Sequence, residues 1–343
     1  MTIAHQSAPH APYKDRQTVK QNPTLAIIQE APVFLNLAAS LDRALGYIRA
    51  AARDGADIIS FAECWLPGYP VWLDFSPNAA IWDHSGAKAL FRLLSENSVV
   101  QGDENLTALQ GLSDELGVYI VMGTHERGGN TLYNTSFTFS PEGGRPVPHR
   151  KLVPTYTERL IWGRGDGSTL AAVSTPWGNL GNLICWEHWM PLARAAMHSM
   201  GEAVHVAQWP IVRDMHQVAS RHYAFEGRCA VAAAGSLISK RDIIEGFKSL
   251  GKVEPEALAL LEAIPGDIDS LIHSGGSAII AADGSYITEP LFDQAGTIMG
   301  TVNMAHQLEQ GQALDTDGHY SRPDIFDLTV NIAPQTGVSF KAE

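Results

Sequence analysis

The segment LICWEHWMPLARAA (residues 183–196) places Cys185 at the end of an apolar run and follows it with a tryptophan, a glutamate and a histidine. The apolar run is typical of a buried strand, and a helix is predicted from about residue 191. A free cysteine in this position can be a small buried hydrophobic residue. It can also be a nucleophile at a strand-to-helix turn, which needs a base and a cation from elsewhere in the chain.

The bulk composition is that of an ordinary globular protein. The chain has 343 residues, 45% of them hydrophobic and 18% charged, which suffices for one large α/β domain or two smaller ones. Its formal net charge of −13 argues against nucleic acid or an anionic membrane as a partner. No segment approaches the roughly 18 consecutive apolar residues of a membrane helix, and the N-terminus lacks the apolar stretch of a signal peptide.

The cysteines and histidines suggest neither disulfides nor a metal site. Cys64, Cys185 and Cys229 are widely spaced and form no C-x-x-C pair, so a disulfide framework and a zinc ribbon are both disfavoured. We therefore expect free thiols and a cytoplasmic location, because the cytosol is reducing. His216 and His222 are six residues apart, whereas a helical zinc pair needs a spacing of four.

Strand and helix patterns alternate from about residue 23, which predicts a single α/β domain with helices outside a mixed sheet. We divide the chain into a polar leader (1–22), the domain (23–304) and a polar C-terminal tail (305–343) with expected subunit contacts. The predicted strands are 24–29, 57–63, 118–126, 131–144, about 147–152, 180–186, 203–209, 229–235, a hairpin at 276–287, and 296–304. The predicted helices are 37–55, 85–98, 104–116, from about 191, 213–228, and a helix-rich insertion at 241–263.

Two further segments offer partners for Cys185. SFAECWLPGYP (60–70) ends a predicted strand near Glu63, and PHRKLVPTYTERLIWGRGDG (148–167) carries Lys151. Taken singly, either residue could be solvated at the surface. Ligands of open α/β sheets bind beyond the carboxyl ends of strands, however, and Glu63 and Cys185 both lie where such ends are predicted. Glu63 could take the thiol proton, and Lys151 could stabilise developing negative charge.

These three motifs, in this order, resemble the Glu–Lys–Cys signature of the nitrilase (carbon–nitrogen hydrolase) superfamily. The resemblance covers about residues 24–331 and includes GHYSRPDIFDLTVN (318–331), which is similar to the C-terminal segment of nitrilases. CWEH, preceded by ERLIWGRGDG, is similar to the nitrilase and cyanide-hydrolysing branch rather than to the amidase branches. The resemblance makes Cys185 the predicted nucleophile.

The resemblance also implies a fold, an assembly and a set of roles. The fold would be a four-layer α-β-β-α sandwich, and the assembly a homodimer or a larger spiral. Glu63 would be the general base, Lys151 would stabilise the tetrahedral intermediate, and Glu158 would be a second glutamate that supports the site. The backbone N–H of Trp186 would contribute to an oxyanion-type hole. Neither a cofactor nor a metal would be needed, because thiolate and base supply the chemistry.

The expected reaction is hydrolysis of an organic nitrile to the carboxylic acid and ammonia, through a thioimidate and an acyl-enzyme. Hydration or hydrolysis of cyanide, or hydrolysis of an amide, is the alternative within the superfamily, and a non-catalytic binding module is a remote one. Trp162 and Trp189 could line an apolar substrate pocket or pack in the core. A pocket of this kind favours a larger apolar or aryl nitrile.

A cysteine–histidine hydrolase is the rival mechanism, because His188 lies three residues after Cys185. Residues at this spacing on a helix can meet, but cysteine hydrolases usually take their histidine from a distant segment. We therefore expect His188 to be a wall of the substrate pocket or a structural support.

Overall fold

A computed structural model describes residues 20–251, 254–335 and 338, so nearly all of the predicted leader lies outside the described residues. The strands are β1 (Thr24–Gln29), β2 (Ile58–Phe61), β3 (Tyr119–Gly128), β4 (Thr131–Phe139), β5 (Val147–Arg150), β6 (Val173–Thr175), β7 (Gly178–Ile184), β8 (Glu202–Gln208), β9 (Ala230–Ala234), β10 (Leu237–Ser239), β11 (Leu271–Ile280), β12 (Tyr286–Phe292) and β13 (Gly296–Thr301).

Helices lie between these strands. The α-helices are α1 (Leu37–Arg53), α2 (Trp72–Phe75), α3 (Ser85–Glu96), α4 (Glu104–Leu116), α5 (Pro191–His198), α6 (Asp214–Gly227), α7 (Lys240–Lys248), α8 (Pro255–Glu262) and α9 (Met304–Gln310). Short 3₁₀-helices span Tyr156–Leu160, Gly167–Thr169 and Cys185–Trp189.

The strands form two mixed sheets. The first has the order β13-β1-β2-β3-β4-β5, and the second has the order β10-β11-β9-β8-β7-β6, with β12 paired to β11. Strands β1, β2 and β3 are parallel, as are β7, β8 and β9. Because β4 runs antiparallel to both β3 and β5, strands β2, β3 and β5 end at the same edge of the first sheet.

Alternation of side chains along the strands builds the layers. Leu25 and Ile27 of β1 belong to one buried apolar cluster with Val204 and Val206 of β8, between the two sheets. The outer face of the first sheet packs against apolar side chains of α1 and α4, and the outer face of the second against those of α5 and α6. The predicted four-layer α-β-β-α sandwich is therefore confirmed.

Local sequence signals explain the helix boundaries. Asn36 caps α1 by accepting a hydrogen bond from the N–H of Ala39 at 3.2 Å, and Gly117 ends α4 in the left-handed conformation. The helix-rich insertion predicted at 241–263 forms α7 and α8, and α8 packs on α3. A side chain at Gly86 would meet the carbonyl oxygen of Glu256 at 2.4 Å, so this close approach requires glycine.

The structure differs from the sequence prediction in its smallest elements. Strands β6 and β10, of three residues each, were not predicted, because so short a run carries no readable alternation. The predicted boundary between domain and tail, at residues 304 and 305, falls inside α9. Beyond α9 the described part of the tail has neither helix nor strand and runs over the surface, where the N–H of Gln335 donates to Asp166 at 2.7 Å.

Within the described part of the chain, no helix is both long enough and apolar enough to cross a membrane.

Candidate active site

The predicted catalytic side chains follow strand ends in both sheets. Glu63 lies two residues beyond β2, Lys151 directly follows β5, and Cys185 directly follows β7. Two hydrogen bonds join the sheets at this edge. The N–H of Glu63 donates to the carbonyl of Trp209 at 3.2 Å, and the Gln208 side chain donates to the carbonyl at the end of β2 at 2.9 Å. Residues remote in sequence thus converge on one point.

Lys151 lies at the centre of this cluster of side chains. Its Nζ donates to Oε1 of Glu63 at 2.8 Å and to Oε2 of Glu158 at 2.7 Å. The Sγ of Cys185 and one carboxylate oxygen from each glutamate lie within 4.8 Å of one another. All four side chains are buried. The structure therefore brings together all four residues that sequence analysis named as catalytic.

Three further groups hold the two carboxylates. The Asn134 side chain donates to Oε1 of Glu63 at 2.6 Å, while the Tyr69 hydroxyl and the N–H of Thr155 donate to Glu158 at 2.9 and 2.6 Å. Oε2 of Glu63 is buried and has no hydrogen-bond partner among the described residues, so this oxygen is free to accept a proton. Neither Asn134 nor Tyr69 was predicted as a site residue, because a neutral polar residue carries no motif of its own.

The turn that carries Cys185 is strained and tightly tied. Cys185 has a φ of 56°, in the left-handed region that non-glycine residues seldom adopt. The buried carboxylate of Glu187 accepts the N–H groups of Ile184 and Leu152 at 2.6 and 2.7 Å, and it pairs with the His149 ring at 2.9 Å. Glu187 therefore ties the cysteine turn to the segment after Lys151. No role was predicted for Glu187, although it stands within CWEH.

Burial and charge set the protonation of the site. Burial raises the pKa of Glu63 to about 7, although the charge of Lys151 opposes this rise. Burial and the negative charge of Glu63 raise the pKa of the Cys185 thiol, so the thiol needs a base to ionise. Burial acts to lower the pKa of Lys151, but Cys185 and the two glutamates outweigh it and raise this pKa well above its ordinary value. A protonated lysine thus faces a carboxylate that titrates near neutral pH, where a general base is most effective.

Two carboxylates and a thiol are also a donor set that a metal ion could use. Here, however, the Lys151 ammonium already donates to one oxygen of each carboxylate. The positive charge of this cluster is therefore supplied by Lys151, and the residues do not fit a resident metal.

An open cavity of about 680 Å³ lies against the cysteine turn. Its lining residues come from two segments, Val153–Tyr156 with Arg159 and Trp186–Glu187 with Trp189 and Met190. The rings of Trp186 and Trp189 meet edge to face, with centroids 5.1 Å apart. Of the four residues expected near substrate, Trp186 and Trp189 thus line a largely apolar cavity.

Trp162, His188 and the four predicted catalytic side chains are not among the residues that line this cavity. Trp162 is buried, donates from Nε1 to the His125 ring at 3.0 Å, and lies with its ring centroid 5.8 Å from Nζ of Lys151. His188 lies beneath the turn, with Nδ1 2.7 Å from the carbonyl oxygen of Cys185. Both side chains support the site from inside the protein.

A buried thiol beside an ammonium group and two carboxylates, where two sheets meet, is the arrangement of an enzyme's active site. Residues 24–308 match the family described as Carbon-nitrogen hydrolase, and the chain belongs to this family.

Relatives of known name point to one branch of the family. The chain is 35% identical to an "Aliphatic nitrilase" of Sinorhizobium fredii (strain HH103), over 92% of this chain and 98% of that protein. It is 34% identical to "Nitrilase 2" of Arabidopsis thaliana, over 92% and 90% of the two chains. It is 32% identical to an "Aliphatic nitrilase" of Rhodococcus rhodochrous, over 92% and 81%.

Solved structures share the fold at low sequence identity. Nit3 of Saccharomyces cerevisiae, a member of the nitrilase superfamily, matches with a TM-score of 0.64 at 15% identity, over 90% of this chain and 99% of that one. A carbon–nitrogen hydrolase from Helicobacter pylori matches with a TM-score of 0.61 at 15% identity, over 85% and 93%.

Proposed function

We propose that this protein is a nitrilase, which hydrolyses an organic nitrile to the carboxylic acid and ammonia with Cys185 as nucleophile. One observation carries the proposal: a single buried ammonium group, Lys151, holds Glu63 and Glu158 at 2.8 and 2.7 Å beside the Cys185 thiol. The relatives named nitrilases support the choice of substrate class.

The first half of the reaction forms a covalent adduct. Glu63 takes the proton of the Cys185 thiol while Sγ attacks the nitrile carbon, so one π bond of the C≡N group breaks and a C–S bond forms. The proton passes to nitrogen, which gives a neutral thioimidate. Negative charge that develops on nitrogen is stabilised by Lys151 and by the backbone N–H of Trp186.

The second half consumes two waters. Glu63 takes a proton from the first water while the oxygen of this water adds to the thioimidate carbon. The resulting tetrahedral intermediate expels ammonia and leaves a thioester. A second water, activated in the same way, releases the carboxylic acid and restores the thiol. If the tetrahedral intermediate expels the thiol instead, the product is the amide. Glu158 keeps Lys151 in place throughout.

The cavity supports a substrate with a sizeable apolar or aryl group. Its walls carry the rings of Trp186, Trp189 and Tyr156, and such rings bind flat apolar groups well. In this proposal Trp186 and Trp189 contact the substrate, whereas Trp162 and His188 act through Lys151 and the cysteine turn.

We also propose a homodimer or a larger assembly in the cytoplasm. The tail exposes Tyr320, Ile325 and Phe326, apolar surface of the kind that subunit contacts cover. The three cysteines are free, which suits a reducing compartment. Sedimentation that shows only monomer across a wide range of concentrations would contradict the assembly.

The test is ammonia release from a panel of aryl, arylacetonitrile and aliphatic nitriles, with the matching amides and cyanide alongside. We expect nitriles to be turned over faster than their amides, and Cys185→Ala to abolish release. Cys229→Ala is the matched control, because Cys229 is also a buried free cysteine but directly precedes β9 and is not part of the cluster of Glu63, Glu158 and Cys185. Turnover of amides alone would establish an amidase, and turnover of cyanide alone would establish a cyanide-hydrolysing enzyme.

A further inference from the structure

A buried chain of polar side chains runs from the carbonyl of Cys185 into the layer beneath it. Nδ1 of His188 lies 2.7 Å from that carbonyl oxygen, Nε2 of His188 lies 3.0 Å from Nε2 of His205, and Nδ1 of His205 lies 2.7 Å from Oε1 of Glu202. All three side chains are buried. The reaction proposed above makes no use of His205 or Glu202.

We propose that Glu202 and His205 are positioning residues, which act through His188 to orient the peptide group that joins Cys185 to Trp186. This inference rests on the proposed function, in which the N–H of Trp186 stabilises developing charge.

Counting protons shows how the chain must work. A carbonyl oxygen only accepts, so Nδ1 of His188 must carry a proton. The contact between the two Nε2 atoms needs one proton, and the contact with Glu202 needs another. Three protons are thus required, whereas two neutral imidazoles and an ionised carboxylate supply only two. The chain is complete only when it holds one extra proton.

We assign that extra proton to the contact between His205 and Glu202, whose Nδ1 and Oε1 atoms lie 2.7 Å apart. Burial and the neighbouring His205 push the pKa of His188 well below its ordinary value, so His188 remains neutral with its proton on Nδ1. The second oxygen of Glu202 accepts the Tyr223 hydroxyl at 2.5 Å. His205 and Glu202 are therefore either imidazolium with carboxylate or imidazole with carboxylic acid. In both forms His188, His205 and Glu202 together carry no net charge.

The backbone is shaped to hold this chain. Glu202 and His205 are three residues apart, and a regular strand would point them to opposite faces. An irregularity in the pairing of β7 with β8, where Asn179 faces Glu202 but Leu180 faces Val204, places an extra residue between them. Gly181 leaves room for the carboxylate, because a Cβ there would lie 1.7 Å from Oε1 of Glu202.

The charged groups around the chain are engaged with one another. On α5, Arg194 donates to the carbonyl of His188 and to Glu226. His198 pairs with Glu226 at 3.2 Å through Nε2, and its Nδ1 lies 3.9 Å from Oε2 of Glu202. On α6, Tyr223 and Glu226 face the chain, and the Cys229 thiol beyond them has its pKa raised by burial and by Glu202. His149 approaches His188 from β5 and pairs with Glu187. These are the charged groups that face the chain from the elements packed against it.

Planarity of the peptide bond links the chain to the chemistry. The carbonyl of Cys185 and the N–H of Trp186 belong to one trans peptide unit, and they point in opposite directions. When His188 fixes the carbonyl on the inner side, it aims the N–H outward. Loss of the His188 bond would let this strained unit rotate, and one donor to the developing charge would be lost.

Three variants separate this role from a merely structural one. His188→Phe fills the space but cannot donate, and we expect kcat to fall about 10²-fold while KM stays within about threefold, as for the loss of one oxyanion donor. His188→Asn places an amide N–H near the former Nδ1 and should recover most of the loss. Glu202→Gln should stay within about threefold of wild type, because its amide can donate to His205 and still accept from Tyr223. Equal unfolding temperatures would show that all three variants fold.

The readouts can also overturn the proposal. If His188→Phe and His188→Asn lose activity equally, if neither loses any, or if folded Glu202→Gln is inactive, the positioning role is wrong. Histidine-selective ¹⁵N NMR, with the His188 signals assigned by difference from His188→Asn, tests the chain without any substrate. We expect His188 to be protonated at Nδ1 and not at Nε2, and the reverse would refute the chain. If the wild-type enzyme turns over no nitrile, the proposed function fails, while the NMR result still decides the proton chain.

Discussion

Replacing Lys151 by methionine removes the only side-chain cation that contacts the two buried glutamates among the described residues. The methionine fills a similar volume, so the change is chiefly electrostatic. At 2.8 Å and an effective dielectric constant of about 20, the attraction between Lys151 and Glu63 amounts to about 6 kcal/mol. If only about a third of this is lost, the pKa of Glu63 rises by roughly 1.5 units from its value of about 7.

The consequence is that Glu63, the general base, is mostly protonated at neutral pH and cannot accept the thiol proton. At pH 7 only a few per cent of Glu63 would remain ionised in Lys151→Met, which lowers turnover about tenfold. The lost stabilisation of developing charge lowers turnover by a further 10²-fold or more. We therefore expect kcat to fall by about 10³ at pH 7 and by about 10² at pH 9, where the base is again largely ionised.

Initial rates of ammonia release at saturating nitrile, measured at both pH values, check this prediction. Lys88→Met is the matched control, because Lys88 is an exposed partner of Asp83 on the surface, and its loss should leave both rates unchanged. Circular dichroism establishes that each variant is folded. A loss smaller than tenfold at pH 7, or the same loss at both pH values, would refute the proposed coupling between Lys151 and the base.

The contacts of Glu63 and of Glu187 lead to three other expected outcomes. First, kcat/KM of the wild type should show an acidic limb near pH 7, because Glu63 must be ionised to act and protonates as the pH falls; a flat profile between pH 5 and 8 would contradict it. Second, Asn134→Leu removes a hydrogen bond that lowers the pKa of Glu63, so this limb should move to higher pH while the rate at pH 9 is largely kept; a limb that stays in place would show that Asn134 does not tune the base. Third, Glu187→Gln should lower the free energy of unfolding by about 2–3 kcal/mol at pH 7, measured in urea, because charged hydrogen bonds to two backbone N–H groups are weakened. Burial acts to raise the pKa of Glu187, but His149 outweighs it and lowers this pKa below its ordinary value. The difference in stability should therefore shrink as the pH falls into the acidic range where Glu187 protonates, and a difference that grows with acid would refute the assignment.

Long periodic elements were predictable from sequence, because one buried face repeats over many residues. Helix α1 and strand β8 lie where the spacing of leucines and the apolar run place them. Three chemistry-bearing residues of the site were also accessible from sequence. Glu63 and Cys185 lie where strand ends were predicted, whereas Lys151 was found through its motif, and its position directly after β5 is visible only in the structure. The ends of helices and strands were less predictable. The strand predicted at 57–63 is observed at Ile58–Phe61, and the residues beyond it form the loop that presents Glu63.

The neutral scaffold of the site could not be predicted. Asn134 reads as an ordinary residue of β4, and its bond to Glu63 spans 71 positions of sequence. His188 was expected at a pocket wall or as a support, and only the turn geometry shows that both ring nitrogens face other buried polar atoms. Such contacts depend on the docking of strands that no local pattern describes.

The division of the site between the two sheets has a practical consequence. Glu63 and Lys151 follow strands of one sheet, and Cys185 follows a strand of the other. The thiol therefore meets its base only while the two sheets keep their relative position. The alkylation rate of a single cysteine is thereby a gauge of sheet alignment. Pressure, mild denaturant or a ligand that shifts one sheet across the other by a fraction of an ångström would change that rate while every strand remained intact. The reactivity of Cys185 thus reports on the relative position of the two sheets.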